Sequence, residues 1–134
     1  DGGDGGAARL TPGQCRRVSR AALGIGGAAA TGRPYVFAYF GQHLKVDRAT
    51  FGAWMGLLRR APRSRLWLLR WPDSEARLQR AAAAAGVRAS RLVFSPRMAQ
   101  GAHLCAFRLA DLSLDAPLYS SGATAVDVLW GGVP

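Results

Sequence analysis

Three short apolar runs, YVFAYF at 35–40, RLWLLR at 65–70 and RLVFSP at 91–96, alternate with stretches of helical period. Such runs are too short for helices and are rich in aromatic and branched residues, so they read as buried strands. Between the first two, Phe51, Trp54, Met55 and Leu58 fall at i, i+3, i+4 and i+7, on one face of a helix. Asp47 can cap that helix by accepting from its orphan amides, and Pro62 stops it. After Trp71-Pro72, Asp73 or Ser74 can cap a second helix that ends at Gly86. A third helical pattern covers 100–110, LSLDA at 112–116 reads as a fourth strand, and a last helix runs from about Ala123 to Trp130. Strands joined through helices must lie parallel with right-handed crossovers. The expected fold is therefore α/β: a Rossmann-like parallel sheet with helices on both faces. Val133-Pro134 reads as the beginning of a fifth strand, so the domain over 34–134 is expected to be incomplete.

Residues 1–33 differ. DGGDGG and GIGGAAATG lack periodicity and read as linker or loop, with room for a short helix over 15–23. GIGG is not a phosphate loop, because no strand precedes it and no GK[ST] follows. No run of 18 apolar residues is present, so no membrane span is expected, and no leader follows Asp1. Cys15 and Cys105 stand far apart and form neither a disulfide framework nor a CxxC metal pair. The expectation is two thiols in a reducing compartment, cytoplasmic or nuclear. With only His43 and His103 besides, no metal site is expected. The net charge of +10 invites a nucleic-acid reading, but the basic residues are scattered and form no tail. Of the 18 basic residues, only Lys45 is a lysine.

Ligands of an open parallel sheet bind beyond the carboxyl ends of its strands. FGQHLK (40–45), the Trp71-Pro72 turn, SPRMAQGAH (95–103) and DAPLYSSGAT (115–124) all lie there. Gly122, Ala123 and Thr124 open the last helix, whose positive end suits a phosphate; small residues also cap helices for structural reasons alone. Lys45 can neutralise a diphosphate, where an ordinary solvated lysine is the alternative. His103 can donate to a phosphate or ribose, or rest half-exposed on its helix. Asp127 can receive a ribose hydroxyl, and Gln42 can read a base edge. Asp111 and Asp115 read as loop ties. Trp54, Trp67 and Trp130 fall in core-facing patterns. No Ser-His-Asp set or paired-carboxylate motif is present.

In combination these segments resemble the donor-binding half of the protein O-GlcNAc transferases, glycosyltransferase family 41. The resemblance rests on Phe40-Gly41-Gln42, Lys45-Val46-Asp47, Trp54 and Pro62-Arg63-Ser64-Arg65-Leu66-Trp67-Leu68-Leu69. It continues through Phe94-Ser95-Pro96, His103, Leu109-Ala110-Asp111, Leu114-Asp115 and Asp127-Val128-Leu129-Trp130. It covers about 35–134 and extends more loosely to 20.

The resemblance implies the C-terminal half of a GT-B type glycosyltransferase. It implies inverting, metal-independent transfer of N-acetylglucosamine from UDP-GlcNAc to Ser or Thr of protein acceptors, with no cofactor. Lys45 would neutralise the leaving diphosphate, and Gln42, His103, Gly122, Ala123, Thr124 and Asp127 would hold the donor. Upstream helical repeats would meet the acceptor proteins. The chain departs from the family pattern in three places. The family's His-Thr-Thr run stands as Gly122-Ala123-Thr124, its asparagine after Phe40 is Gly41, and its basic residues near Gln100 and Ala106 are absent. Other readings stay open: a protein O-fucosyltransferase using a GDP-sugar, a non-catalytic relic of the same fold, and a basic nucleic-acid-binding module.

Overall fold

The computed structural model describes residues 15–27 and 32–134. Residues 1–14 and 28–31 lie outside it, and with them much of the expected linker. The chain forms β1 (Tyr35–Tyr39), a short 3-10 turn (His43–Lys45), α1 (Arg48–Arg60), β2 (Ser64–Leu69) and α2 (Glu75–Ala84). After them come a second 3-10 turn (Ala89–Arg91), β3 (Leu92–Ser95), α3 (Gln100–Phe107), β4 (Leu112–Ser113) and α4 (Ala123–Trp130). All strand pairs are parallel, in the order β3-β2-β1-β4. The chain winds one way from β1 to β3 and then crosses back to place β4 on the other side of β1. That reversal creates the switch point between β1 and β4 where doubly wound sheets take ligands.

Alternation within the central strands fixes the two layers. Phe37, Tyr39, Leu66 and Leu68 turn to one face and pack with Trp54, Met55 and Leu58 of α1 and Leu78 of α2. Val36, Ala38, Trp67 and Leu69 turn to the other and pack with Ala106 and Phe107 of α3 and Val128 of α4. Both faces are covered, as a parallel sheet requires. The Trp67 indole is fully buried, and its N–H donates to Ser95 Oγ at 2.8 Å.

Several local expectations match. Asp47 accepts from the amides of Ala49 and Thr50 at the start of α1, and Phe51, Trp54, Met55 and Leu58 are its buried face. Gly86 follows α2 at φ 78°, where a side chain would be strained. β4 is shorter than expected, because Asp115 turns the chain. Its carboxylate accepts from the amides of Ala116 and Ser121 and from both serine hydroxyls of Ser120-Ser121. On the far side of β4, the Ser113 amide donates to the Pro134 carbonyl at 2.7 Å. Trp130 departs from expectation and is 87% exposed, because α4 turns Val128 to the core and leaves Leu129 and Trp130 outward.

Cys15 is helical, residues 16–27 are turns and irregular backbone where a short helix over 15–23 had room, and this segment packs on the second face. Ile25 is fully buried, and Arg20 bonds both the Pro34 carbonyl and the Asp111 carboxylate. The cysteine expectation is corrected here. Cys15 and Cys105 are joined in a disulfide across 90 residues, with Cα atoms 5.2 Å apart. The spacing along the chain hid a contact that exists because this segment folds back onto α3.

The loop after β1 is tied to the turn after β2 by a buried polar link. Ser74 starts α2, but its hydroxyl does not cap the helix; it donates to the Trp71 carbonyl and meets His43 Nδ1 at 2.6 Å. Burial first, and the positive Arg77 second, push the His43 imidazole down to about 4, against a raising backbone contact at Leu69.

Two outcomes are expected. Reducing the disulfide, or replacing Cys105→Ser, should lower the free energy of unfolding in urea by roughly 3–5 kcal/mol, since the link closes a long loop; an unchanged midpoint would contradict the pairing. His43 is held neutral when folded and has an ordinary affinity for protons when unfolded. Its stabilisation is therefore complete above about pH 6.5 and falls away as the pH drops toward 4, by roughly 3 kcal/mol. Urea midpoints between pH 7 and 4.5 should show this slope. His43→Leu should flatten most of it, leaving the part due to His103.

Candidate functional site

The crevice opens at the carboxyl ends of the strands, over the β1/β4 switch point. Gly41, Gln42 and Lys45 come from the loop after β1, and Trp71 from the turn after β2. Arg97 and Met98 follow β3, His103 and Phe107 belong to α3, and Ser121, Thr124 and Asp127 come from the start of α4. The cavity is about 320 Å³, with Phe40 and Leu69 in its apolar floor. Of the residues expected from sequence, Gln42, Lys45, His103, Thr124 and Asp127 meet here. Gly122 and Ala123 stand beside the crevice without lining it, and Ser121 contributes instead.

Gly41 has a local cause. A Cβ at that position would lie 2.6 Å from Cζ of Tyr39, whose ring folds back over the loop. The Tyr39 hydroxyl donates to the Gln42 carbonyl at 3.3 Å. Burial, with the Asp115 charge behind it, raises that phenol to about 12, so it stays a donor. The backbone between the strand and Gln42 is thus shaped by the tyrosine, and only glycine fits beneath it.

His103 packs at a tilt against Phe107, ring centres 4.5 Å apart, and Phe107 in turn lies 4.5 Å from Phe40. Burial and then the Arg97 charge lower its pKa, while Asp127 pulls the other way. The imidazole is therefore neutral at pH 7, and its Nε2 is buried without a hydrogen-bond partner among the described residues. Trp71 Nε1 is in the same condition. Unpaired buried polar atoms in a cleft are places where a ligand can supply the missing partner.

Lys45 sits on the wall between this crevice and a neighbouring one lined by Leu44, Asp47, Leu118 and Tyr119. Its Nζ lies 4.2 Å from the centroid of the Tyr119 ring. Asp47, two residues away, spends its carboxylate on the α1 amides instead. The ammonium is thus held by a ring face, with no carboxylate partner among the described residues. A cation held this way keeps its charge for an anion.

Arg97 is the site residue that sequence reasoning missed. It lines the crevice, and its guanidinium lies 4.8 Å from the Trp71 ring centroid. In a chain with so many scattered arginines nothing marked this one, although its place just past the third apolar run was a usable signal. Ala106 on α3 is fully buried and brings no charge to the crevice. Arg97 brings a positive charge to that side from the preceding loop.

The arrangement joins an apolar floor, two cations, a helix start and hydroxyl and carboxylate groups, which suits a nucleotide with a diphosphate. The chain is similar to the Arabidopsis thaliana protein named "probable UDP-N-acetylglucosamine–peptide N-acetylglucosaminyltransferase SEC", at 41% identity over 101 residues, 75% of this chain and 10% of that protein. It is similar to the Caenorhabditis elegans UDP-N-acetylglucosamine–peptide N-acetylglucosaminyltransferase at 39% over 100 residues, 74% of this chain and 9% of that one. The chain therefore spans about a tenth of the length of these relatives. Among solved structures, a mutant O-GlcNAc transferase from Thermobaculum terrenum superposes with a TM-score of 0.71 at 31% identity, over 75% of this chain and 20% of that one. The sequence pattern of glycosyl transferase family 41 matches residues 19–134. With that match across most of its length, this chain belongs to glycosyl transferase family 41.

Proposed function

We propose that this chain is the donor-binding part of a protein O-GlcNAc transferase and that its crevice holds UDP-GlcNAc. The observation that carries this reading is the convergence of Gln42, Lys45, His103, Thr124 and Asp127 on one crevice at the switch point. In an inverting transfer the acceptor oxygen attacks the sugar carbon and gives up its proton, in the end to solvent, while the bond to the diphosphate breaks and UDP leaves. Negative charge then builds on the leaving phosphate. Lys45 is the group that takes up this charge, and the Thr124 hydroxyl and the first turn of α4 add to it. Asp127 accepts from a ribose hydroxyl, and neutral His103 offers its unpaired nitrogen to the nucleotide. The reaction in this reading needs no metal and no cofactor, because the crevice supplies its own positive charge. The acceptor is a Ser or Thr of a protein.

A nucleic-acid module is disfavoured by the distribution of charge, since the basic residues are scattered along the chain and gather into no run. Among the described residues no helix is long and apolar enough to cross a membrane. We keep the cytoplasmic or nuclear setting as part of the proposal. It is tested by alkylating the protein at the moment of cell lysis: modified Cys15 and Cys105 fit that setting, whereas a protected pair fits an oxidising one.

Calorimetry tests the donor. UDP should bind more tightly than GDP, and a short oligonucleotide should show no salt-dependent binding. Lys45→Ala should weaken UDP by about tenfold or more, the loss of a charge-assisted contact. In any longer form of the protein that transfers sugar, the same change should slow transfer by about 10²–10³. Preference for GDP would move the reading to a fucosyltransferase. Absence of binding to either nucleotide would leave the relic reading.

A further inference from the structure

Two cations reach the crevice, and each is laid on an aromatic ring. Lys45 lies on Tyr119, and Arg97 lies on Trp71. Sheet order separates the two pairs. Lys45 follows β1 and Tyr119 follows β4, whereas Trp71 follows β2 and Arg97 follows β3. From β1 to β3 the sheet spans two inter-strand steps, about 10 Å. Loops that leave strands this far apart give a nucleoside diphosphate room to lie across the carboxyl ends of the sheet.

The two ends differ in chemistry. The Lys45 end carries Gln42, Ser121 and Thr124, all polar. On the Arg97 side, Leu69 and Trp71 at and after the end of β2 and Met98 after β3 form an apolar bed for a flat ring. Trp71 presents a buried nitrogen without a partner on this side, and His103, beside Phe40 and Phe107, presents another to the same crevice. Arg97 is exposed and has no carboxylate partner among the described residues, and its charge is felt at His103. A guanidinium stacked on an indole keeps its in-plane N–H donors free, and these match the carbonyl oxygens on a base edge.

Resting on the donor-crevice reading above, we infer that Arg97, positioned by Trp71, is the nucleoside anchor of this site. It donates to the base, while Lys45 serves the diphosphate. Uridine offers two carbonyl oxygens, either of which can accept from one of these N–H donors. Arg97 thereby contributes to affinity for the nucleoside whether or not phosphates are attached.

The test is a titration series of this chain with uridine, UMP and UDP, followed by ligand-observed NMR and calorimetry. Arg97→Ala should weaken all three by a similar factor, about fivefold. Lys45→Ala should weaken UDP strongly and uridine little. Trp71→Phe should keep most of the affinity, whereas Trp71→Leu should lose as much as Arg97→Ala does. The double variant should lose no more than either single one, because the two act as a unit. Far-UV circular dichroism confirms that each variant is folded. Arg97→Ala that leaves uridine unchanged, tightens it, or weakens UDP alone overturns the assignment and leaves the donor crevice standing. A folded wild-type chain that binds none of the three overturns the donor crevice itself, and the Arg97 assignment with it.

Discussion

Parallel pairing of β1 between β2 and β4 is the constraint on which the rest of this structure depends. A parallel strand buried on both faces cannot be reached by a hairpin, so every connection must cross a face as a helix or a packed segment. β1 is the first strand among the described residues and lies between two neighbours that arrive by opposite windings. The loops that leave β1 and β4 therefore diverge and open a gap. Tyr39 and Gly41 shape one lip of that gap, and the turn stapled by Asp115 shapes the other. The crevice is a consequence of strand order, and its chemistry is written on the loops.

Those loops hold their functional groups in a consistent way. Carboxylates near the crevice are spent on backbone amides and hydroxyls: Asp47 on α1, and Asp115 on its own turn. The cations are left to aromatic faces. A salt bridge at either position would compete with an incoming anion, whereas a ring orients the cation and leaves its charge unneutralised. Burial keeps both imidazoles neutral, so the positive potential of the crevice comes from Lys45 and Arg97. Asp127, half-buried in the crevice wall, sits where a ribose hydroxyl is the fitting partner.

Much of this was legible in the residues. The i, i+3, i+4, i+7 pattern from Phe51 to Leu58, the Asp47 cap and the Gly86 stop are local signals, and local signals survive folding. The convergence of Gln42, Lys45, His103, Thr124 and Asp127 followed from placing each after its strand. What the sequence concealed was contact at long range. Cys15 and Cys105 meet only because a segment without periodicity packs through Ile25. Ser74 sits at a cap position, yet its hydroxyl answers to His43, a residue 31 positions away. Trp130 follows the helical pattern of α4, but only Val128 of that helix finds the core. Arg97 was hidden by the abundance of its own kind.

The central claim is that the β1/β4 crevice binds a nucleoside diphosphate with Lys45 at its phosphates. The chain's single lysine makes this directly observable, since lysine-selective ¹⁵N labelling gives one ammonium resonance. Titration with UDP should shift that resonance saturably, with the ε-methylene protons sensing the Tyr119 ring in the free chain, while uridine should leave the ammonium nearly unmoved. An ammonium signal that stays fixed while UDP saturates the chain would contradict the account.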